Sequence, residues 1–244
     1  METRIIDSTW RGQVYTNGVT GSFEAKQLVD ENELLHAYRL RHKIFAEELR
    51  WVDTTPGGLE VDGYDKSSVH FGVWYEDKLL SYLRLIVPGQ TFMMEREFIG
   101  LVGKDHVIRK AADTCEVSRL CVSPVARSGD IPTNFGNHGV AMHLYKAVYQ
   151  WCNRNKIRFL YLVVEKKIAR MLTMAGFPCH GIGEPKVMPD GVVAVAAMMD
   201  WRAFEEQNAR KRSDLLEWFN QDQSGHGMPP LRQPATCSPR QASA

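Results

Sequence analysis

Apolar residues recur with two different periods along the first half of the chain, and each period indicates one type of element. Helical spacing over residues 27–49 predicts one helix or a pair of helices. Two β-rich runs follow over 69–75 and 79–87, and the polar residues 76–78 between them indicate a hairpin turn. The turn-rich residues 52–67 separate the helical part from the hairpin.

The second half of the chain alternates between strand and helix patterns. The predicted elements are a strand over 114–122, a loop over 123–136, a helix over 137–154, a strand over 159–164, a helix over 166–174 closed by Gly176, a strand over 192–199 and a helix over 202–219. This order predicts a mixed α/β domain with a largely antiparallel central sheet. Residues 1–24 are predicted to be an N-terminal extension, 25–220 the domain, and 221–244 a disordered tail rich in Pro, Ser, Gln and Gly.

Composition argues against several classes of protein. The chain has 244 residues, of which 44% are hydrophobic and 24% charged, and its formal net charge is +1. That balance gives no electrostatic footprint for nucleic acid, and no apolar stretch approaches the roughly 20 residues that span a bilayer. The first residues lack the apolar core of a signal peptide, and the five cysteines show no C-x-x-C spacing. We therefore expect a cytoplasmic protein with reduced thiols, no membrane span and no nucleic-acid partner.

Common catalytic and metal-binding motifs are missing from the sequence. It contains no G-x-G-x-x-G, G-x-x-x-x-G-K-[ST], G-x-S-x-G or H-E-x-x-H pattern. His138 and His143 are five residues apart, which places them on different faces of a helix. Glu60, Asp62 and Asp65 raise the alternative of a calcium site, but they lack the spacing of a calcium-binding loop. We expect no bound metal.

Two segments place charged residues beside aromatic residues. In the first, Arg41 and Phe45 are four residues apart, project from one face of the predicted helix and are followed by Trp51. The second is an acidic turn in which Asp62 and Asp65 are expected to point the same way.

A third charged segment is the predicted strand over 114–122. Period-two alternation puts Glu116 and Ser118 on one face of this strand and Arg119 on the other. Arg84 lies inside another, apolar strand, so it requires a carboxylate partner. The candidates for that partner are Asp62, Asp65 and Glu116. By spacing alone, all these groups are equally consistent with fold-stabilising ion pairs and surface charges.

Taken together, these residues resemble the signature of the acyl-homoserine-lactone synthases, the autoinducer synthases. The family pattern is Arg-x-x-x-Phe, a Trp six residues on, Asp-x-x-Asp, an Arg in a strand, and later Glu-x-x-Arg. This sequence fills all eight positions in order, with Arg41, Phe45, Trp51, Asp62, Asp65, Arg84, Glu116 and Arg119. The resemblance runs from about residue 30 to residue 200, and residues 171–177 also resemble a late helix of the family with its glycine stop.

The resemblance implies an acetyltransferase-like fold, a three-layer sandwich whose central mixed, mostly antiparallel sheet is V-shaped. It also implies two substrates, S-adenosylmethionine and an acyl thioester carried by acyl carrier protein or by coenzyme A. The products would be an acyl-homoserine lactone, methylthioadenosine and the freed carrier. Because S-adenosylmethionine is a substrate, no cofactor is expected. Residues 126–139 show no acetyltransferase phosphate-binding glycine pattern, so coenzyme A use cannot be read from them.

Roles follow from the same resemblance. Arg41 would pair with the carboxylate of S-adenosylmethionine, and Phe45 and Trp51 would offer ring faces to its adenine or sulfonium. Asp62 and Asp65 would hold the amine, or would organise the two strand arginines around it.

The strand residues would carry the acyl transfer itself. Glu116 would remove a proton from the amine, directly or through a water molecule. Backbone N–H groups near residues 118–120 would stabilise the oxyanion, with Ser118 in a supporting role and Arg84 and Arg119 held beside the amine.

Residues for the acyl chain and the carrier are less distinctive. The family position where Thr favours 3-oxo chains falls on Leu162, which argues against a 3-oxo product; Met94 and Phe98 are the other candidates for the acyl pocket. A basic cluster is a candidate docking surface for an acidic carrier protein, with an ordinary solvated face as the alternative. Its members are Arg154, Lys156, Arg158, Lys166, Lys167 and Arg170. Arg170, which matches a basic family position, Lys167 and Arg154 are the predicted carrier contacts.

Two other functions stay open at this point. A related acyltransferase on the same fold would acylate a free amino acid or be tied to a protein-sorting system. It would keep Glu116 and Arg119 without needing Arg41, Phe45 and Trp51 together. A non-catalytic sensor would bind S-adenosylmethionine or the acyl carrier without turnover. Release of methylthioadenosine separates lactone synthesis from both.

Overall fold

A single mixed sheet forms the centre of the computed structural model, which describes residues 10–16, 19–127 and 139–221. The strands in these ranges are β1 (Trp10–Thr16), β2 (Val19–Leu28), β3 (Ser68–Tyr75), β4 (Lys78–Ile86), β5 (Thr114–Val122), β6 (Phe159–Glu165), β7 (Cys179–Gly181), β8 (Lys186–Val187) and β9 (Val193–Asp200). Their order is β1-β2-β3-β4-β5-β6-β9-β7, with β8 paired to β9. Of these pairs, β5 with β6 is parallel and the others are antiparallel.

Helices cover both faces of this sheet. They are α1 (Glu31–Arg41), α2 (Met93–Arg96), α3 (Pro124–Arg127), α4 (Gly139–Arg154), α5 (Lys166–Met174), α6 (Trp201–Lys211) and α7 (Ser213–Asn220). A stretch of π-helix, His42–Glu48, continues α1. None of the helices in the described ranges combines the length and apolarity that crossing a bilayer requires.

Alternation along the central strands gives the sheet two chemically different faces. One face is apolar and packs against α4, α6 and α7 in the main core; Phe71, Leu83 and Cys115 belong to it. The opposite face carries buried polar side chains, namely His70, Tyr82, Arg84 and Glu116. Two smaller apolar clusters, contributed partly by α1 with the π-helix and partly by the segment 88–112, pack on this polar face. The predicted three-layer α/β fold is confirmed.

Strands β5 and β6 separate part of the way along their length. Their pairing ends at Val117 and Leu162, although both strands continue beyond these residues. Beyond that point the two strands are no longer joined by backbone hydrogen bonds. The V-shaped opening of the sheet therefore lies between the ends of β5 and β6, beside Ser118 and Arg119.

Most predicted elements of the central sheet agree with the structure. The strands predicted over 69–75, 79–87 and 114–122 and the helix over 166–174 are confirmed to within one residue. The helix predicted to begin at residue 27 instead begins after Asp30, whose side chain caps it by accepting the Asn32 N–H at 2.8 Å.

The two ends of the chain differ from the sequence prediction. Strands β1 and β2 form a hairpin on β3, so the predicted boundary between residues 24 and 25 falls inside β2. The helix predicted over 202–219 is two helices, because Arg212 leaves the helical region with φ −150° and ψ 62°. The predicted tail lies outside the described residues from 222 onward, as does the loop over 128–138.

Candidate active site

Arg84 stands at the centre of the polar face of the sheet, and its side chain is fully buried. Its Nε donates to Ser118 Oγ at 2.9 Å across β4 and β5. Its Nη1 donates to Asp62 Oδ1 at 2.5 Å and to Asp65 Oδ1 at 2.6 Å. The carboxylate partner predicted for Arg84 is therefore present twice, and it comes from the acidic turn rather than from Glu116.

Arg41, at the end of α1, is also fully buried. Its Nε donates to Glu60 Oε2 at 2.5 Å, and its Nη1 donates to Asp65 Oδ1 at 2.6 Å. The guanidinium also lies 5.2 Å from the ring centre of Tyr38 and 5.6 Å from that of Tyr82. These carboxylates and hydrogen bonds outweigh burial and raise the pKa of Arg41 above its ordinary value. Its donors thus face protein carboxylates, not an open cleft.

Arg119 reaches the same cluster because a β-bulge reverses the expected alternation of β5. Where β5 meets β4, the register shifts between Tyr82 and Arg84, so that Leu83 faces both Arg119 and Leu120. Arg119 adopts a left-handed φ of 53°. The prediction that Arg119 lies on the face opposite Ser118 is therefore wrong, since period-two alternation fails at a bulge.

The side chain of Arg119 is 16% exposed, in contrast to the two fully buried arginines. Its Nη2 lies 2.9 Å from Glu60 Oε1 and 2.9 Å from Asp62 Oδ2. Its Nη1 approaches Met93 Sδ at 3.7 Å, whereas its hydrogen bonds to carboxylates among the described residues come from Nε and Nη2. Arg119 is thus the arginine of the cluster with a donor still directed away from the protein carboxylates.

Glu60 is the residue of this cluster that the sequence prediction did not assign. It is 5% exposed and bridges Arg41 and Arg119, whereas the next residue, Val61, is 56% exposed. The available signal was its position two residues before Asp62, which puts both carboxylates on one side of an extended segment. With it, three guanidinium groups face the three carboxylates of Glu60, Asp62 and Asp65, and their charges cancel.

Glu116 lies beside this ion cluster and is not paired within it. Its Oε1 accepts the backbone N–H of Met94 at 2.9 Å, while its buried Oε2 has no hydrogen-bond partner among the described residues. The residue is 1% exposed. Burial raises the pKa of the Glu116 carboxyl group to about 7, although backbone N–H groups of α2 and the charge of Arg84 oppose the rise. A carboxyl group with this pKa and one free oxygen is suited to exchange a proton near neutral pH.

Aromatic rings border the cluster on its exposed side. The rings of Phe45 and Trp51 are stacked, with centroids 6.1 Å apart and an interplanar angle of 26°. Phe45 is 6% exposed and lies 5.6 Å below the Arg119 guanidinium, whereas Trp51 is 43% exposed. The π-helix holds this arrangement, because the Phe45 carbonyl accepts the Trp51 N–H at 2.8 Å.

The three residues predicted for an acyl pocket do not come together. Leu162 belongs to the main core on the helical face of α4. Met94 and Phe98 belong to the cluster on the opposite face, with Tyr161. Neighbouring residues of a strand point to opposite faces of the sheet. Leu162 and Tyr161 therefore face opposite sides, and Leu162 cannot line one pocket together with Met94 and Phe98.

The predicted basic cluster is divided between the two ends of β6. Arg154 ends α4 before this strand, and Lys167 and Arg170 lie on α5 after it. A strand of 7 residues separates the two groups by about 20 Å at about 3.3 Å per residue. Arg158 forms an ion pair with Asp200 at 2.7 Å. A single continuous patch of all six residues is therefore not present.

Comparison with known proteins agrees with this arrangement. A family model described as "Autoinducer synthase" matches residues 25–209. An acyl-homoserine-lactone synthase of Vibrio anguillarum is 24% identical over 164 residues, which cover 66% of this chain and 82% of that protein. A probable acyl-homoserine-lactone synthase of Sinorhizobium fredii is 24% identical over 199 residues, covering 79% and 94%. The solved structure of BjaI, a CoA-dependent acyl-homoserine lactone synthase with MTA, is similar at a TM-score of 0.63 and 25% identity over 74% of this chain and 82% of that one. The chain belongs to the autoinducer synthase family of acyltransferases.

Proposed function

We propose that this protein transfers an acyl group from a thioester to the amine of S-adenosylmethionine and closes the product to an acyl-homoserine lactone, releasing methylthioadenosine. The observation that carries the proposal is the buried Glu116, whose free oxygen lies next to a charge-balanced cluster at the opening of the sheet. Amine acylation needs such a group, because the amine must lose a proton before it attacks.

The cluster and its aromatic border suggest how S-adenosylmethionine binds. Arg119, partly exposed and with a donor free of carboxylates, is our choice for the substrate carboxylate. The exposed face of Trp51, supported by Phe45, offers a surface for the adenine or the sulfonium. Asp62, whose side chain is 19% exposed, is our choice for the group that attracts the ammonium group. Arg41 then acts indirectly, by fixing the carboxylates.

Acyl transfer follows as a proton transfer and a substitution. Glu116 accepts a proton from the ammonium group, and the amine nitrogen attacks the thioester carbon. The carbonyl oxygen gains negative charge, for which backbone N–H groups of the bulge at residues 118–120 are the proposed donors. Collapse breaks the carbon–sulfur bond, and the leaving thiolate takes the second proton that the attacking nitrogen loses, so that an amide and a free thiol result. Glu116 then releases its proton to the solvent.

Lactone closure needs no further acid or base. A carboxylate oxygen of the acylated intermediate attacks the carbon bonded to the sulfonium, and the carbon–sulfur bond breaks with its electrons moving to sulfur. The leaving group is the neutral thioether methylthioadenosine. The protein's part in this step is to hold the chain bent, which Arg119 and Trp51 can do by binding its two ends. We propose that no cofactor takes part, since both steps are substitutions that need no external oxidant or reductant.

The acyl donor carries a pantetheine thioester, whether on coenzyme A or on acyl carrier protein, and we place the reaction in the cytoplasm. BjaI, one similar protein, is described as CoA-dependent. The basic residues of α5, Lys166, Lys167 and Arg170, which directly follow β6, favour an acidic carrier protein. Both donors present the same thioester to the site, and assays with each donor separately decide which carrier the protein uses.

Incubation of the full chain with S-adenosylmethionine and acyl thioesters of several lengths tests the proposal. Acyl-coenzyme A and acyl carrier protein are supplied in separate reactions, methylthioadenosine is measured by chromatography and the lactone by mass spectrometry. We expect both products in equal amounts with one donor. An N-acyl amino acid without methylthioadenosine would mean that the chain is the related acyltransferase, and ligand binding without any turnover would mean a sensor.

A further inference from the structure

Two buried side chains, His70 and Tyr82, lie directly beneath the ion cluster. They occupy diagonal positions on β3 and β4, because His70 is paired with Arg84 and Tyr82 with Gly72. His70 is 6% exposed and Tyr82 is 0% exposed. Neither is therefore positioned to touch a substrate that binds above the cluster.

Hydrogen bonds connect this pair to the acidic turn. His70 Nε2 lies 3.1 Å from the backbone carbonyl oxygen of Asp65, and His70 Nδ1 lies 2.6 Å from Tyr82 Oη. A carbonyl oxygen can only accept, so Nε2 carries the proton and the neutral ring accepts at Nδ1 from the Tyr82 hydroxyl. The Tyr82 oxygen in turn accepts from Arg41 Nη1 at 3.5 Å.

The same turn supplies the carboxylate on which two arginines converge. Asp65 Oδ1 accepts from Arg41 and from Arg84, each at 2.6 Å, and its Oδ2 accepts the Asp62 N–H at 2.7 Å. The backbone of Asp65 is fixed from below by His70 while its carboxylate fixes the cluster from above. A shift of the Asp65 backbone would move both guanidinium groups together.

Protonation of the imidazole is opposed by its surroundings. The titratable and charged groups that face it are Tyr38 and Arg41 from α1, Asp65 from the turn, and Tyr82 and Arg84 from β4. Burial lowers the pKa of His70, and the two arginines lower it further against the opposing effect of Asp65. The neutral ring is the form that the hydrogen bond accepted by Nδ1 from Tyr82 requires.

We propose that His70 and Tyr82 form a positioning pair that holds the acidic turn and Arg41 in the geometry that binds S-adenosylmethionine. The role of the pair in binding rests on the proposed function, whereas its hydrogen-bond pattern does not. The pair acts through Asp65 and Arg41, so its removal weakens binding of the sulfonium substrate and leaves the acyl donor unaffected.

Four variants separate this role from simple packing. Tyr82→Phe removes the hydroxyl group that donates to His70. His70→Gln keeps a donor near the Nε2 position for the Asp65 carbonyl, whereas His70→Asn keeps an acceptor for Tyr82 and loses that donor. The matched control is Tyr149→Phe: Tyr149 is 1% exposed and bonds Glu205 and Asn220, each at 2.8 Å, on the opposite face of the sheet.

Steady-state kinetics of methylthioadenosine release give the first readout. Tyr82→Phe should raise the KM for S-adenosylmethionine about 3- to 10-fold, the range expected for one lost hydrogen bond, with the KM of the acyl donor within about twofold. His70→Asn should show a larger increase than His70→Gln. Tyr149→Phe should leave both KM values unchanged even though it lowers the melting temperature. Equal effects of all three site variants on both substrates would overturn the proposal.

Nitrogen NMR of the imidazole ring gives a readout that does not depend on turnover. We expect His70 as the neutral tautomer with hydrogen on Nε2 between about pH 6 and pH 8, and a pKa shifted upward in Tyr82→Phe, because the lost donor had favoured the neutral ring. A charged ring, or hydrogen on Nδ1, in the wild-type protein overturns the pair. A correct tautomer in a protein that releases no methylthioadenosine instead contradicts the proposed function alone.

Discussion

Replacement of Glu116 by Gln should stabilise the protein at alkaline pH while abolishing turnover. Glu116 is 1% exposed, and burial raises the pKa of its carboxyl group from 4.5 to about 7. Gln keeps an oxygen that can accept the Met94 N–H, but it cannot ionise. The variant therefore resembles the wild-type protein with Glu116 permanently protonated.

The magnitude follows from the linkage between protonation and folding. In the unfolded chain the carboxyl group loses its proton near pH 4.5, whereas the folded chain keeps it until about pH 7. The stability that the proton contributes is fully present below the unfolded pKa and is lost as the pH rises through the folded pKa. A difference of about 2.5 units, at about 1.4 kcal/mol each, gives about 3.5 kcal/mol at alkaline pH. For a chain of this size that is a rise in Tm of roughly 7–14 °C.

Urea and thermal unfolding, followed by circular dichroism from about pH 4.5 to about pH 8.5, measure this difference. The two proteins should be equally stable at the acidic end and should diverge through neutrality. The control is Glu206→Gln, because Glu206 is a surface residue, with a 60% exposed side chain, paired to Arg202. That change should alter the free energy of unfolding by no more than about 0.5 kcal/mol at any pH.

Two results would refute the reasoning about Glu116. A Gln variant that is less stable than wild type at about pH 8 would mean that the folded protein holds Glu116 ionised and stabilised. Methylthioadenosine release above about 1% of the wild-type rate would mean that Glu116 is not the base, since general base catalysis contributes about a hundredfold or more.

Three further predictions concern binding and stability. Trp51→Ala should raise the KM for S-adenosylmethionine about tenfold and lower the Tm only slightly, because the ring stacks on Phe45 but is 43% exposed; initial rates and melting curves test both parts. Glu60→Gln should lower the free energy of unfolding by about 3 kcal/mol in urea titrations, because Arg41 and Arg119 lose a shared charged partner. Lys167→Glu combined with Arg170→Glu should raise the KM of an acyl carrier protein donor but not of an acyl-coenzyme A. Arg154→Glu, at the other end of β6, should leave the KM values of both donors unchanged in the same assay.

Local patterns were sufficient for most of the sheet and insufficient at its irregular points. The sequences of β3, β4 and β5 are alternating or continuously apolar. Short runs of this kind predict strands that are buried on one or both faces of a sheet. The hairpin of β1 and β2 was missed because its Gly, Thr and Ser residues give little periodicity. Its signal was Asn17-Gly18, a dipeptide typical of two-residue hairpin turns, between strands that end at Thr16 and begin at Val19.

The candidate site was predictable in its residues and not in its pairings. The resemblance named the three arginines and two of the carboxylates, but which carboxylate meets which arginine depends on how four separate segments pack. Glu60 was overlooked because an acidic residue in a turn is ordinarily solvated. Arg119 was placed on the wrong face because no local pattern announces a bulge built on a non-glycine residue with a φ of 53°.

The charge balance of the cluster also predicts when Glu116 becomes ionised. Three guanidinium groups and three carboxylates cancel, so burial decides the pKa of Glu116 in the free protein. In the proposed reaction S-adenosylmethionine, which carries a net positive charge, binds beside Glu116 and favours its carboxylate form. The acid limb of kcat, which reports the substrate complex, should then lie at lower pH than the limb of kcat/KM, which reports the free enzyme. Profiles of methylthioadenosine release against pH test this order of the two limbs. Coincident limbs would mean that substrate binding does not lower the pKa of Glu116.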